Sequence, residues 1–354
     1  MGGAASSTSN AMDKIIDIAG KMGKPSLQLQ SKGETKGEKT ENVAEAEPGV
    51  VINRRLGAAT AIPAFDNIKG GGGDDTITYE NSTYDRSQAV IYGGGGDDVI
   101  SMSSIGDSPH GAFGGDGNDT ISISARHAGA SGGAGDDVIT VAGDYLVSAY
   151  GDAGDDVITA SGELVSRIEG GQGNDTITVN GTAVGLVSGG FGDDVITVTS
   201  ENKFDDWSDY DHGTGHVHGY YDGYKNPPII DGGRGNDVIN IDGQARVVHR
   251  AGDGQDVITV SDKTEFVTFG KDWFDSVLNL DDANFSYENG ELTVTFEGHD
   301  DKMTIRAAEG EELSWELTSD RTFMVTVNKA AETSVDAEAG AEVEHDDQTD
   351  QADS

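Results

Sequence analysis

Nine times between residues 70 and 259 the chain spells a version of Gly-Gly-x-Gly-x-Asp-x-Ile-x, and a repeat held in phase that often leaves few folds open. The copies occupy residues 70–78, 93–101, 114–122, 132–140, 151–159, 170–178, 189–197, 232–240 and 251–259. Asp152 replaces the second glycine of one copy and Ala251 the first glycine of the last, while position six is Asp and position eight Ile in all nine. Glycines permit the positive φ that a tight turn needs, so several carbonyl oxygens can point inward. The Ile alternates with polar neighbours, which marks a very short strand with one buried face.

The Asp column gives the turn its chemistry. Carboxylate and carbonyl oxygens are hard donors, which suit Ca²⁺ better than softer metals. Stacked coils would set Asp137, Asp156 and Asp175 about 4.8 Å apart, the strand spacing. At that distance two unit charges repel by roughly 3–4 kcal/mol at an effective dielectric of 20. An Asp or Asn just before each of them crowds the turn further, so a cation-free ladder is expected to push its coils apart.

On these residues the chain resembles the RTX (repeats-in-toxin), haemolysin-type calcium-binding repeat family over roughly residues 70–280. The resemblance implies an all-β chain built on a parallel β-roll, a solenoid of the β-helix kind. It implies Ca²⁺ held by Asp75, Asp98, Asp119, Asp137, Asp156, Asp175, Asp194, Asp237 and Asp256, with glycine carbonyls completing each site. Nine turns sharing ions between neighbours lead to an expectation of seven or eight Ca²⁺. The family also implies export from a Gram-negative bacterium by type I secretion machinery, through an uncleaved C-terminal signal, with folding on external Ca²⁺. No His-Glu-x-x-His and no long apolar region accompany the repeats, so the expected form is a stand-alone secreted member without a protease or pore-forming passenger.

Spacing refines the roll. Successive copies begin 23, 21, 18, 19, 19, 19, 43 and 19 residues apart, so one nonapeptide fits each coil and the other half-coil is a weaker segment. Gly143, Gly162, Gly181 and Gly243 share a column there, without an acidic ladder. One regular Ca²⁺ row is therefore expected, not two.

Four divisions follow. Residues 1–65 carry a short helical pattern at 11–21, in an otherwise polar, flexible stretch, and a segment at 50–65 that could cover the first coil. Residues 66–276 form the roll, with an insertion at about 200–231. Residues 277–330 read as a small C-terminal β cap, with an Asn289-Gly290 hairpin and Trp273, Phe274 and Trp315 in its core. Residues 331–354 read as a flexible acidic tail, with nine acidic residues and no Lys or Arg between Glu332 and Asp353.

The net charge is −41, from 64 acidic and 23 basic side chains, which argues against nucleic acid and anionic membranes as partners. No Cys occurs, so disulfides cannot stiffen the fold, and no 18-residue apolar run is present to span a membrane. The first twenty residues lack the pattern of a secretory signal peptide. Gly129-Ala-Ser131-Gly-Gly133 has nucleophile-elbow spacing but overlaps a repeat.

Two function classes stay open. One is a secreted, extracellular or cell-surface, non-enzymatic Ca²⁺-binding rod serving as a surface, matrix or host-contact component. The other is a lyase or epimerase acting on extracellular polysaccharide, with His212, His216, His218, Tyr221, Lys225 and Arg234 as candidate acid, base and charge neutraliser. The His-x-x-x-His-x-His run of the insertion could instead bind a transition metal, or be a polar excursion with one degenerate coil. A small toxin or bacteriocin rests on family association alone.

Overall fold

The alternation that closes each nonapeptide becomes one rung of a parallel sheet. In the computed structural model, which describes residues 49–56, 65–82, 84, 86–201, 227–261, 267–269, 283–317 and 323–329, Ile100 lies beside Ile77 and Ile121. The same register runs on through Ile139, Ile158, Ile177, Ile196, Ile239 and Ile258. These nine side chains are at most 1 % exposed. Burying each is worth about 1.5–3 kcal/mol, so the column is the main apolar spine of the fold. The flanking Thr, Ser and Val residues face outward, as the two-residue period of a strand requires.

The other half of each coil forms a second stack of parallel strands. Phe65–Gly72 pairs with Gln88–Gly95, and the stack continues to Ile229–Arg234 and Ala245–Val248. Its inward residues include Ile91, Ala112, Ala130, Ala149, Ile168, Val187 and Ile230, which close the core against the Ile column. The turn opposite the nonapeptide has glycine at 143, 162 and 181 in one register. A Cβ on Gly162 would stand 2.4 Å from the Gly143 carbonyl oxygen, so the coils approach too closely there for a side chain.

The roll extends past the nonapeptides at both ends. Val51–Leu56 pairs in parallel with Thr76–Asn81, so the segment expected to cover the first coil supplies a rung of its own. At the far end Lys302–Ala307 pairs in parallel with Gln255–Val260 and sets Ile305 beside Ile258. From that rung the pairing turns antiparallel: Glu291–Phe296 runs against Lys302–Ala307 on one side and Ala283–Glu288 on the other. Asn289 and Gly290, with φ of 55° and 83°, make the expected tight turn. Glu311–Leu317 and Phe323–Lys329 form a second antiparallel pair of this C-terminal part, joined through Phe323–Lys329 to Val267–Phe269. Phe285, Trp315 and Phe323 cluster within it, although Trp315 lies at its edge and is 39 % exposed; Trp273 and Phe274 fall outside the described residues.

The long gap after the seventh copy adds no coil. Val195–Ser200 is in register with both the preceding and the following rung, and Ile229–Arg234 resumes the second stack directly beside residues 186–191. No degenerate coil stands between these directly paired rungs, and residues 202–226 lie outside the described residues. No helix occurs among the described residues, and none is long and apolar enough to cross a membrane. The helical pattern at 11–21 and the acidic tail lie outside them.

Candidate metal centre

The nonapeptide turns stack on one edge of the roll and share one backbone pattern. Each turn's second and fourth residues take positive φ, as at Gly171 (128°) and Gly173 (127°). A side chain at Gly171 would also strike the Asp152 carbonyl oxygen of the neighbouring coil at 2.1 Å. Asp152 itself occupies this place one coil earlier with φ of 78°, and its carboxylate accepts a hydrogen bond from Ser131 Oγ at 2.5 Å.

The position-six Asp side chains form a continuous ladder through one oxygen. The backbone N–H of Asp75 donates to Asp98 Oδ1 (2.7 Å), that of Asp98 to Asp119 (2.8 Å), and that of Asp119 to Asp137 (2.7 Å). The pattern repeats to Asp156, Asp175 and Asp194 at 2.8 Å, then to Asp237 (2.9 Å) and Asp256 (3.0 Å). Neither the long insertion nor the irregular first spacing interrupts it. Each carboxylate thus receives one N–H, which offsets part of the repulsion between neighbours.

The second oxygen has no such partner. Oδ2 of Asp75, Asp98, Asp119, Asp137, Asp156, Asp175, Asp194 and Asp237 is buried and accepts no hydrogen bond. Each lies under the first glycine of its own turn. A Cβ on Gly170 would sit 2.2 Å from Asp175 Oδ2 and 2.6 Å from the Gly189 carbonyl oxygen of the next coil. Gly70, Gly93, Gly114, Gly151 and Gly189 show the same pair of neighbours. The first glycine therefore keeps a cradle open between an orphaned carboxylate oxygen and a carbonyl of the adjacent turn.

Eight orphaned carboxylate oxygens in one row are costly unless something neutralises them. From Asp98 to Asp237, burial is the main cause that lifts the pKa values of the ladder carboxylates above the usual range, with the ladder N–H opposing it. Asp137 and Asp175 are raised to about 6, Asp119, Asp156 and Asp237 to about 7, and Asp194 to about 8. Asp98 is raised for the same reason. A hard cation fits this row: carboxylate Oδ2 and glycine carbonyl oxygens are the donors present. No three acidic or imidazole side chains converge among the described residues, so a cation here would take most of its ligands from the backbone.

A family model for the RTX calcium-binding nonapeptide repeat (4 copies) matches residues 64–81, 90–101, 112–122, 166–181 and 229–244. The chain carries RTX-type calcium-binding repeats. No curated protein sequence matches it. The RTX match takes in five of the nine turns, and the ladder gives the turns at Asp137, Asp156 and Asp194 the same geometry. These turns make the protein a calcium-binding β-roll.

Several features of these RTX turns were not expected from the sequence. The Asp or Asn that precedes the ladder Asp in the first eight copies does not simply crowd the turn. It forms a second, exposed ladder, in which Asp97 N–H donates to Asp74 Oδ1, Asn118 N–H to Asp97 and Asp136 N–H to Asn118. Asn174 and Asn236 also donate from Nδ2 to the Asp one coil earlier, relieving the like charges. Asp256 continues the main ladder through Oδ1, but its Oδ2 meets His249 Nδ1 at 2.8 Å. Of the enzyme candidates, His212, His216, His218, Tyr221 and Lys225 lie outside the described residues. Arg234 packs its guanidinium 5.5 Å over the Phe191 ring.

Proposed function

We propose that this calcium-binding β-roll is a secreted, non-enzymatic protein that folds when it meets external Ca²⁺ and then serves as a rigid surface, matrix or host-contact component. The observation that carries the reading is the row of eight buried, unpartnered Oδ2 atoms from Asp75 to Asp237. Those eight carboxylates, with the carbonyls of the position-one glycines, would hold the ions in a single row. Bound Ca²⁺ would supply the positive charge that the turns lack. The chain's own part is geometric: position-one glycine keeps the cradle clear, and the Oδ1 ladder fixes each carboxylate.

Export through type I machinery accords with such a fold. A chain that needs Ca²⁺ to compact would stay extended where Ca²⁺ is scarce and would order where it is abundant, since binding free energy becomes folding free energy. The partner is extracellular, with a polysaccharide or a cell surface as the proposed class.

Isothermal titration with Ca²⁺, with Mg²⁺ as comparison, tests the site assignment. The parent protein should bind several Ca²⁺ and ignore Mg²⁺, and Asp175→Asn should bind fewer ions. Equal binding by parent and variant would remove Asp175, and with it the row, from the site.

A further inference from the structure

We propose that His249 closes the carboxylate row, so that the ninth turn is a hydrogen-bonded end plate that takes no calcium and Asp256 positions the turn without ligating an ion. This rests on the calcium reading of the eight turns before it.

Along the second stack Asp231 lies beside Val248, an offset of 17 residues. Beyond the turn Gly235 bridges Gly254, an offset of 19. The ninth turn therefore contains two residues more than the eighth. The repeat pattern, read as sequence, puts Ala251 in the position-one place. The strand register instead puts His249 there, because His249 follows Val248 as Gly232 follows Asp231.

That place decides what the Asp can do. At Gly232 a Cβ would stand 2.2 Å from Asp237 Oδ2, and the glycine leaves the cradle open. In the ninth turn the imidazole enters the corresponding space, and its Nδ1 lies 2.8 Å from Asp256 Oδ2. Both side chains are buried, at 3 % and 4 % exposure. The ring is also held against Phe296 of the cap, with centroids 6.0 Å apart. Alone among the nine position-six Asp residues, Asp256 has no orphaned oxygen.

Three backbone N–H groups of the turn face anions, while His249 Nε2 is buried without a partner. The N–H groups of Gly252 and Gly254 both donate to Asp301 Oδ1, at 2.9 and 3.0 Å, and Arg250 N–H donates to Asp253 Oδ2 at 2.5 Å. Asp301 comes from the loop just before the terminal rung Lys302–Ala307, whose register sets Met303 beside Asp256. The Asp column thus ends at a methionine position, with no further carboxylate in register to share an ion. A turn whose N–H groups face a carboxylate and whose own carboxylate faces an imidazole is built for hydrogen bonds.

Crystals of the full chain grown in Ca²⁺, measured for calcium anomalous scattering, test the assignment. The proposal predicts peaks along the row from Asp75 to Asp237 and none within bonding reach, about 2.3–2.6 Å, of Asp256 Oδ2. Titration gives a second reading without crystals: Asp256→Asn and His249→Gln should bind as many Ca²⁺ as the parent, whereas Asp175→Asn should bind fewer. A peak at Asp256 Oδ2, or the loss of an ion in Asp256→Asn, overturns the proposal. Absence of peaks along the whole row sinks the calcium reading itself, and the end-plate assignment falls with it.

Discussion

The second turn, Gly93 to Gly96, places four glycines in three kinds of environment and allows the geometry to be tested one methyl at a time. At Gly95 an added Cβ meets nothing within 4 Å, so Gly95→Ala should change stability by no more than about 0.5 kcal/mol. At Gly94, φ is 124° and the Cβ would stand 1.9 Å from the Gly71 carbonyl oxygen. Backbone strain of about 1–3 kcal/mol then adds to a clash that only main-chain movement relieves, for a total of roughly 5 kcal/mol. Gly96 combines φ of 105° with a 2.5 Å approach to the Gly73 carbonyl carbon and belongs with Gly94. Gly93 has no positive φ, and its Cβ would meet Asp98 Oδ2 at 2.0 Å and the Gly114 carbonyl oxygen at 2.7 Å. Gly93→Ala should cost about 3 kcal/mol, chiefly by pushing the carboxylate out of its cradle. The assay is calcium-driven folding of each variant followed by circular dichroism. If folding couples to eight ions, 3 kcal/mol raises the midpoint calcium concentration about twofold, and 5 kcal/mol about threefold. Only Gly93→Ala should also lower the number of ions bound once folding is complete. Equal damage from Gly95→Ala and Gly94→Ala, or an unchanged ion count in Gly93→Ala, would refute the cradle argument.

Other expectations follow from the same geometry. Ile158 is fully buried in the spine, and Ile158→Ala should cost about 2–5 kcal/mol in guanidinium unfolding at saturating Ca²⁺; a loss below 1 kcal/mol would mean the column is not the core. Without metal, the raised carboxylate pKa values stabilise the protonated roll, fully below about pH 4, and that contribution is lost as pH rises through 6 to 8. Chelated protein should therefore show more β signal at pH 4.5 than at pH 8, and the opposite trend would contradict the desolvated row. Replacing residues 202–226 by a short Gly-Ser linker should leave the Ca²⁺ count unchanged, because Asp194 and Asp237 are already joined at 2.9 Å; a lost ion in titration would place a ligand in the insertion.

Much of the roll was legible because its two determinants are local. Ile at position eight and Asp at position six each recur once per coil, so sequence spacing translates directly into stacked columns. The glycine column at 143, 162 and 181 was legible for the same reason. Val51–Leu56 was not, since a rung without a nonapeptide offers only a six-residue run, and its partner at residues 76–81 is a long-range choice. The hydrogen bonds of the paired Asp/Asn residues were hidden too: adjacency suggests repulsion, and only the stacking brings a backbone N–H to each Oδ1. His249 was the least visible. Motif alignment gave Ala251 the position-one place, and only strand pairing reveals that the last turn is two residues longer and that an imidazole fills the cradle.

The measurement closest to the central claim is far-UV circular dichroism during a Ca²⁺ titration, with Mg²⁺ in parallel and a chelator to reverse it. At pH 8 the chelated chain should show a coil-like spectrum that converts cooperatively to β with Ca²⁺ alone. A β spectrum at pH 8 that ignores both Ca²⁺ and the chelator would contradict the assignment of the Asp75–Asp237 row as a calcium site that folds the protein.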